Sequence, residues 1–556
     1  MGAEEGTEMS LWGIWGGLKS TVGPGRGAGK ALSGMGGDPS EGPGDGIPGV
    51  GTRAEVSPAP TDIAYLRSVL PSTTEDAFFD YLCTVDASEV TLSSVPEGSV
   101  VFSRVPLLQV KGPLLVVQLL ETTLLCLVNY ASLVATNAAR FRLLAGPEVK
   151  LMEIGLRRAQ GPDGGLSASK YSYIGGFDFT SNVLAGKLYG IPVRGTIAHS
   201  FIMSFTALEE VQPKVLAPLA GGEPVDLVVL AESWLRRVCE LLQSPPEKAN
   251  RGELAAFVSY AITFPHHFQG LLDTYCVMRS GLPNFCAVAL ALHQLGYRAI
   301  GVRLDSGDLG QQSKEIRRVL RACGTAFQVP WFGSIPIAVS NDISERSLES
   351  FIREGSEIDV IGVGTNLVTC PLQPSLGCVY KLVEVNGSPC LKLTEEEEKM
   401  TIPGIKAVYR LYDDAGHPIM DLMALEDEPA PKAGQELVAH VLGRRGKATK
   451  VWPNTVEPLH RTYFRDGQVR GWEIPSSLGN SGSQGRDEVV PHLKRVPWDF
   501  QKGLWGLGRR VETWFGAALS QVALTAKFWG FCCKNPKRSG WQPHVGTLFY
   551  PHPTGV

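Results

Sequence analysis

Residues 268–320 read FQGLLDTYCVMRSGLPNFCAVALALHQLGYRAIGVRLDSGDLGQQSKEIRRVL. A short apolar run, FQGLLDTY, is followed by a helix-period segment, LPNFCAVALALHQLG; a second run, YRAIGVRLD, is followed by a second helical segment, LGQQSKEIRRVL. Strands that alternate with helices in this way predict parallel pairing through crossover helices. The pattern continues on both sides, with IPVRGTIA from Ile191, IPIAVSND from Ile335 and IDVIGVGT from Ile358. We therefore expect a closed or nearly closed β/α barrel over residues 112–371.

Either side of the barrel the text changes. DIAYLRSVL after Thr61 has a helical period and is followed by short strand-like runs ending in PLLQVKGP. Beyond Thr369, CVYKLVEVNG, PCLKLTE and AVYRLYDDAGHPIMDLMAL alternate as strands, with DDAGH as a turn. These pieces, 61–111 and 372–437, predict a β-rich α+β domain assembled from both sides of the barrel. Residues 1–60 are Gly-rich without period and read as a flexible segment. GPGRGAGKA within them fails as a P-loop, because Pro24 stands where Gly is required and Ala31 where Ser or Thr is. Residues 438–556 are an atypical C-terminal region of undetermined fold, which with Trp452 onward holds seven of the eleven Trp.

The 556 residues are 44% hydrophobic and 19% charged with a formal charge of -4, the composition of a soluble globular chain. Lys and Arg are scattered, so no nucleic-acid partner is expected. The apolar run from Pro113 is broken by Gln118, Glu121 and Asn129, which reads as a buried helix and leaves no membrane span expected. The cysteines fall singly apart from Cys532 and Cys533, without CxxC spacing, so they read as reduced and structural. The opening MGAEEGTEMS is acidic and carries Gly6 where myristoylation wants Ser or Thr. A cytosolic protein is the expectation.

In a β/α barrel the chemistry sits on loops after the C-terminal ends of strands. His199 follows IPVRGTIA; Asp273, Thr274 and Tyr275 follow QGLL; Arg303, Asp305, Ser306 and Asp308 follow AIGV. Ser340 and Asn341 follow IPIAV, and Thr365 follows VIGVG. Gly362, Gly364 and Thr365 suit a phosphate cradled by backbone N–H groups, or equally a tight turn with a cap. Arg303 could clamp a carboxylate or phosphate in a bidentate fork. Asp305 and Asp308 could accept from ribose hydroxyls or hold Mg²⁺ through water; an ion pair within the loop and, for Asp308, a helix N-cap compete with this. Arg157 and Arg158 in GLRRAQGPDGG are anion-site candidates or the end of a helix, and Thr180, Ser181 and Asn182 read as a helix start or a ligand loop. A lone histidine is most often a core residue, but the strand-end position of His199 argues for a reagent.

The strings GLRRAQGPDGG, GGFDFTSNVLAG, GTIAHSF, GLLDTY, VRLDSGDL and VIGVGT, in this order and spacing, resemble nicotinate phosphoribosyltransferases of the vertebrate type over about residues 61–437, with a fainter echo at VEPLHRTYFRDGQV. The resemblance implies a type II phosphoribosyltransferase fold, an irregular β/α barrel beside an α+β domain. It implies transfer of phosphoribosyl from phosphoribosyl pyrophosphate to nicotinate, giving nicotinate mononucleotide and pyrophosphate at the entry to NAD synthesis. ATP would drive the reaction through a phosphohistidine, with Mg²⁺ or Mn²⁺ required and a homodimer as the assembly. His199 would be the phosphorylated residue, nicotinate would lie near Thr196 and Arg303, and Thr365 with Gly362 and Gly364 would hold the 5-phosphate. Asp273 and Asp305 would lie near the ribose and the Mg²⁺-pyrophosphate, with Arg157 as a further wall of the anionic site. The family's opening helix of the type LLTDLYQ, whose Tyr stacks on the pyridine, has no counterpart in residues 1–60. That departure admits an alternative: an impaired variant that binds phosphoribosyl pyrophosphate or pairs with an intact subunit.

Overall fold

The computed structural model describes residue 58, residues 60–195, 197–395, 401–440 and 448–470, and the backbone of 544–551. The GPGRGAGKA segment, most of the 1–60 stretch and much of 471–556 lie outside the described residues.

Six strands form an all-parallel sheet in the order Phe179–Thr180, Lys150–Glu153, Val360–Val363, Ile337–Val339, Gly301–Leu304 and Gln269–Leu271. Parallel strands covered by helices are apolar on both faces, and Leu151, Leu271, Val302, Leu304, Ile337 and Val363 are fully buried. The crossovers include the two helices expected from the opening stretch, Leu282–Gln294, buried from Leu282 through Leu292, and the amphipathic Leu309–Ala326. The expected strand IPVRGTIA is corrected to a single parallel bridge between Thr180 and Val193. Pro192 has no N–H to donate; its carbonyl accepts from Thr180 and the N–H of Arg194 returns to the Thr180 carbonyl, after which the chain leaves the ladder. Among the described residues the barrel is thus open between Val193 and the Gln269–Leu271 strand, which is the irregularity of the fold.

At the N-terminal ends of these strands two clamps of the same design hold neighbours together. Arg142 donates to the carbonyls of Gly146, Val149 and Gly176 and to Asp178 Oδ2, which also accepts from the Leu151 N–H. Arg317 donates to the carbonyls of Gly333 and Ile335 and to Asp359 Oδ2, which accepts from the Ile337 N–H. Each guanidinium is 6% exposed, so both are satisfied by fixed carbonyls and a carboxylate rather than by solvent.

The apolar run from Pro113 forms one 32-residue helix, Leu114–Ala145, of which nine residues are buried; the expectation of a buried helix is corrected to one that is buried along one side. Val116, Val117 and Leu124 pack into a smaller core, whereas Leu133, Val134, Ala138 and Phe141 pack into the barrel core. By length and composition alone it could cross a membrane. Its Asn137 and Arg142, however, are spent on barrel carbonyls, Asn137 Nδ2 donating to Asn366 at 2.8 Å. Against its first half lies a seven-stranded antiparallel sheet, ordered Ser388–Pro389, Cys378–Val385, His544–Pro551, Leu108–Pro113, Thr91–Ser94, Arg461–Arg465 and Gln468–Val469. A three-stranded sheet joins Pro418–Leu425, Lys406–Tyr412 and Thr455–Pro458. The strand expected at PCLKLTE is cut short: Ser388–Pro389 pairs with Glu384–Val385 after the Asn386–Gly387 hairpin turn with both φ positive, and one further bond runs from the Cys390 N–H to the Val383 carbonyl.

Candidate active site

Because all six strands point the same way, their C-terminal ends deliver the polar residues to one rim. Three adjacent ends carry most of it. Arg303, on Gly301–Leu304, donates through Nε to Ser340 Oγ at 3.0 Å and through Nη1 to the Ile197 carbonyl at 3.3 Å. Its Nη2 lies 3.1 Å from Asp305 Oδ1. Ser340, on the neighbouring strand end, closes the triangle by donating to Asp305 Oδ1 at 2.5 Å. The ion pair within the loop is therefore real, yet Arg303 still has an N–H on each terminal nitrogen without a partner among the described residues. A guanidinium braced on one side by Ser340 and open on the other can receive a planar anion.

On the next strand end, Asp273 Oδ1 is 3.2 Å from His199 Nε2, and Ser306 Oγ donates to Asp273 Oδ2 at 2.5 Å. The Asp273 side chain is 3% exposed and His199 36%, so a buried carboxylate meets a ring that is open to solvent in part. His199 opens the short helix His199–Met203, two residues after Ile197, whose carbonyl meets Arg303. The two clusters thus share one segment across the open seam of the barrel.

On the other side, Gly362 closes the Val360–Val363 strand against Ser340, where a Cβ would meet the Ile154 side chain at 3.0 Å. Gly364 caps the short helix Thr365–Thr369 and its carbonyl receives Leu367 and Val368. The Thr365 hydroxyl is unengaged among the described residues. Asn341 and Asp342 hold φ of 108° and 46°, consecutive left-handed conformations that cost energy in non-glycine residues and cluster at working loops. Asp342 Oδ1 is tied to Asn366, linking the Ser340 loop to the glycine loop.

The remaining expectations resolve individually. Arg157 and Arg158 lie on the exposed turn Leu156–Arg158, and Arg157 has no hydrogen-bond or ion-pair partner among the described residues. Asp308 caps Leu309–Ala326 through Gln311, and Asn182 caps Val183–Tyr189 through Ala185, so both take the capping reading. Thr196 lies outside the described residues. The sequence reading passed over Glu153, 1% exposed at the end of Lys150–Glu153. It accepts from the Gly155 N–H, from Ser169 Oγ at 2.8 Å and from Thr180 Oγ1 at 2.6 Å, and so anchors the turn that carries Arg157. The available signal was a carboxylate closing an apolar run just before GLRRAQ.

One guanidinium, two carboxylates, a histidine and a glycine loop on the C-terminal rim of a parallel sheet define an α/β enzyme built for anionic substrates. Comparison with known proteins sharpens that class. The family model described as the nicotinate phosphoribosyltransferase (NAPRTase) N-terminal domain matches residues 54–129, and that of the C-terminal domain matches residues 405–474. The chain is 60% identical over 409 residues to nicotinate phosphoribosyltransferase of Homo sapiens, covering 73% of this chain and 76% of that one. It is 59% identical over 470 residues to the Bos taurus protein of the same name, covering 84% of each. The crystal structure of human nicotinic acid phosphoribosyltransferase superposes with a TM-score of 0.66 at 50% identity, covering 84% of this chain and 83% of that one. The chain belongs to the nicotinate phosphoribosyltransferase family.

Proposed function

We propose that this chain transfers the phosphoribosyl group of phosphoribosyl pyrophosphate to nicotinate, releasing pyrophosphate and forming nicotinate mononucleotide in NAD synthesis. The observation that carries the proposal is the pairing of the Arg303–Asp305–Ser340 triangle with the His199–Asp273 contact on adjoining strand ends. Nicotinate differs from nicotinamide by its charge, and the free N–H groups of Arg303 match a carboxylate in a way a neutral amide cannot. Asn341, next to Ser340 in the chain, is a further candidate contact for nicotinate. The pyridine nitrogen forms the new bond to the anomeric carbon as the bond to pyrophosphate breaks. Positive charge grows on the ribose ring, and the Asp273 and Asp305 carboxylates tolerate it.

The 5-phosphate rests on Thr365, Gly362 and Gly364, and Arg157 faces the leaving pyrophosphate. No three of His, Cys, Asp and Glu converge on a metal position among the described residues. Asp305, at 24% exposure, is the hard oxygen donor that fits a Mg²⁺ or Mn²⁺ ion held chiefly by substrate oxygens and reached through water, while the buried Asp273 would act on it only through its charge. When bound, that ion neutralises charge on the departing pyrophosphate. His199 accepts the γ-phosphoryl of ATP, releasing ADP; if Nε2 carries the proton shared with Asp273, Nδ1 holds the lone pair that attacks. Hydrolysis of the phosphohistidine then drives the cycle toward product.

A homodimer is proposed on the apolar surface of Val183–Tyr189, where Val183 is 70% exposed and Leu184 and Leu188 about half. A cytosolic site of action accords with nine described cysteines that are all free. The test is pyrophosphate release by the purified chain alone with nicotinate, nicotinamide or quinolinate. Release with nicotinate and ATP is expected; phosphoribosyl pyrophosphate binding without release would instead mark the impaired variant, preference for nicotinamide would overturn the Arg303 assignment, and preference for quinolinate would overturn nicotinate as the substrate.

A further inference from the structure

Glu253 is fully buried near the start of the helix Arg251–Thr263, and it belongs to no part of the site described above. Its Oε2 accepts from Ser280 Oγ and from Asn284 Nδ2, while Oε1 has no partner among the described residues. A carboxylate in a core is costly, and burial pushes its acid form up to about 7. A leucine would fill the space at lower cost, so the placement of its partners is informative.

Ser280 lies in a π-helix, Val277–Gly281, the first regular structure after Asp273. Its Oγ receives the Asn250 N–H at 2.8 Å and gives its own proton to Glu253. The next residue, Gly281, lies so close to the segment entering the Asp273 loop that a Cβ there would be 2.1 Å from the Leu272 carbonyl oxygen. On the other side, Gly252, beside Glu253, stands equally close to the Phe205 carbonyl, just past the helix that carries His199. Phe201 of that helix packs edge-on against Tyr260, about two helical turns beyond Glu253. Glu253 is therefore where the support of the Asp273 loop meets the support of the His199 helix. Insertions of the π type recur where a side chain must be aimed, and the hydrogen bonds that Glu253 does make are strengthened by the low dielectric around them.

We propose that Glu253 is a positioning residue for the His199–Asp273 pair, holding through Ser280 and the π-helix the spacing between the Asp273 loop and the His199 helix. This rests on the reading of that pair as working groups. Steady-state kinetics of the full chain with nicotinate, phosphoribosyl pyrophosphate and ATP test it, with Glu253→Ala, Glu253→Gln and Ser280→Ala compared. Ser280→Ala removes one hydroxyl and keeps the test alive should Glu253→Ala fail to fold. Both alanine variants should lose about tenfold or more in kcat while KM for nicotinate moves less than about twofold, and Glu253→Gln, which keeps an accepting oxygen, should recover to within about threefold. In an Asp273→Asn background Ser280→Ala should cost less than about twofold, since the group it positions is already gone. Deuterium exchange of residues 272–281 should quicken in Ser280→Ala. Full additivity with Asp273→Asn, or kcat unchanged in Ser280→Ala, overturns the inference while leaving the pair's role intact. Wild-type turnover in both His199→Ala and Asp273→Asn would instead remove the pair's role, and the inference with it.

Discussion

The barrel uses an arginine–aspartate pair at both ends, and the two ends differ in what each guanidinium has left to give. At the N-terminal ends of the strands Arg142 spends four N–H groups on three carbonyls and Asp178, and Arg317 likewise binds two carbonyls and Asp359. At the C-terminal rim Arg303 meets one carbonyl, one hydroxyl and one carboxylate, at 16% exposure, and keeps N–H groups for a ligand. The same residue pair is cement where backbone saturates it, and where backbone is withheld it leaves the free N–H groups to which we assign the nicotinate carboxylate.

Breaking each end should therefore give opposite signatures. Asp178→Ala strands a buried guanidinium and should cost about 3–5 kcal/mol in denaturant unfolding, with turnover per folded molecule retained. Arg303→Ala should leave the unfolding midpoint nearly unchanged and lower kcat/KM for nicotinate by about 10²–10³, the loss of a charge-assisted clamp worth about 3–4 kcal/mol. If Arg303→Ala unfolded the chain while Asp178→Ala abolished catalysis, the comparison would be inverted.

Glu253 sharpens the comparison with a pH signature. Its carboxyl is raised by burial from 4.5 to about 7, so the folded chain keeps a proton through a window in which the unfolded chain has lost it. Its contribution is fully present below about pH 4.5 and is lost as pH rises through about 7. Glu253→Gln escapes that loss, so its advantage in stability over the parent should grow between those pH values, reach at most about 3 kcal/mol and then level off. A constant difference across the window would contradict it. Smallest is Ser340→Ala, which removes the hydroxyl bracing Arg303 against Asp305; it should cost about 1 kcal/mol, seen as a several-fold rise in KM for nicotinate with kcat little changed.

Much of this was legible in the residues. Strand and helix alternation from Phe268 to Leu320 names the parallel sheet, and reading the residue after each apolar run finds His199, Asp273, Arg303, Asp305, Ser340 and Thr365 without coordinates. Capping by Asp308 and Asn182 was legible too, because it is local. What escaped is long-range and aperiodic. The Arg142–Asp178 and Arg317–Asp359 clamps join residues 36 and 42 apart, Glu253 finds Ser280 at a separation of 27, and Glu153 finds Thr180 at the same separation. A hydrophobic period carries no record of such pairings. IPVRGTIA misled for the converse reason: its apolar text is strand-like, but among the described residues its pairing is a single bridge at Val193, next to Pro192, which has no N–H to give.

The most direct test of the rim as a working site is phosphoryl transfer to His199. Incubation of the purified chain with γ-labelled ATP, followed by peptide mapping, should place the label on His199 alone. His199→Ala should abolish both the label and the stimulation by ATP. Label that persists in His199→Ala, or ATP stimulation that survives the substitution, would contradict the account.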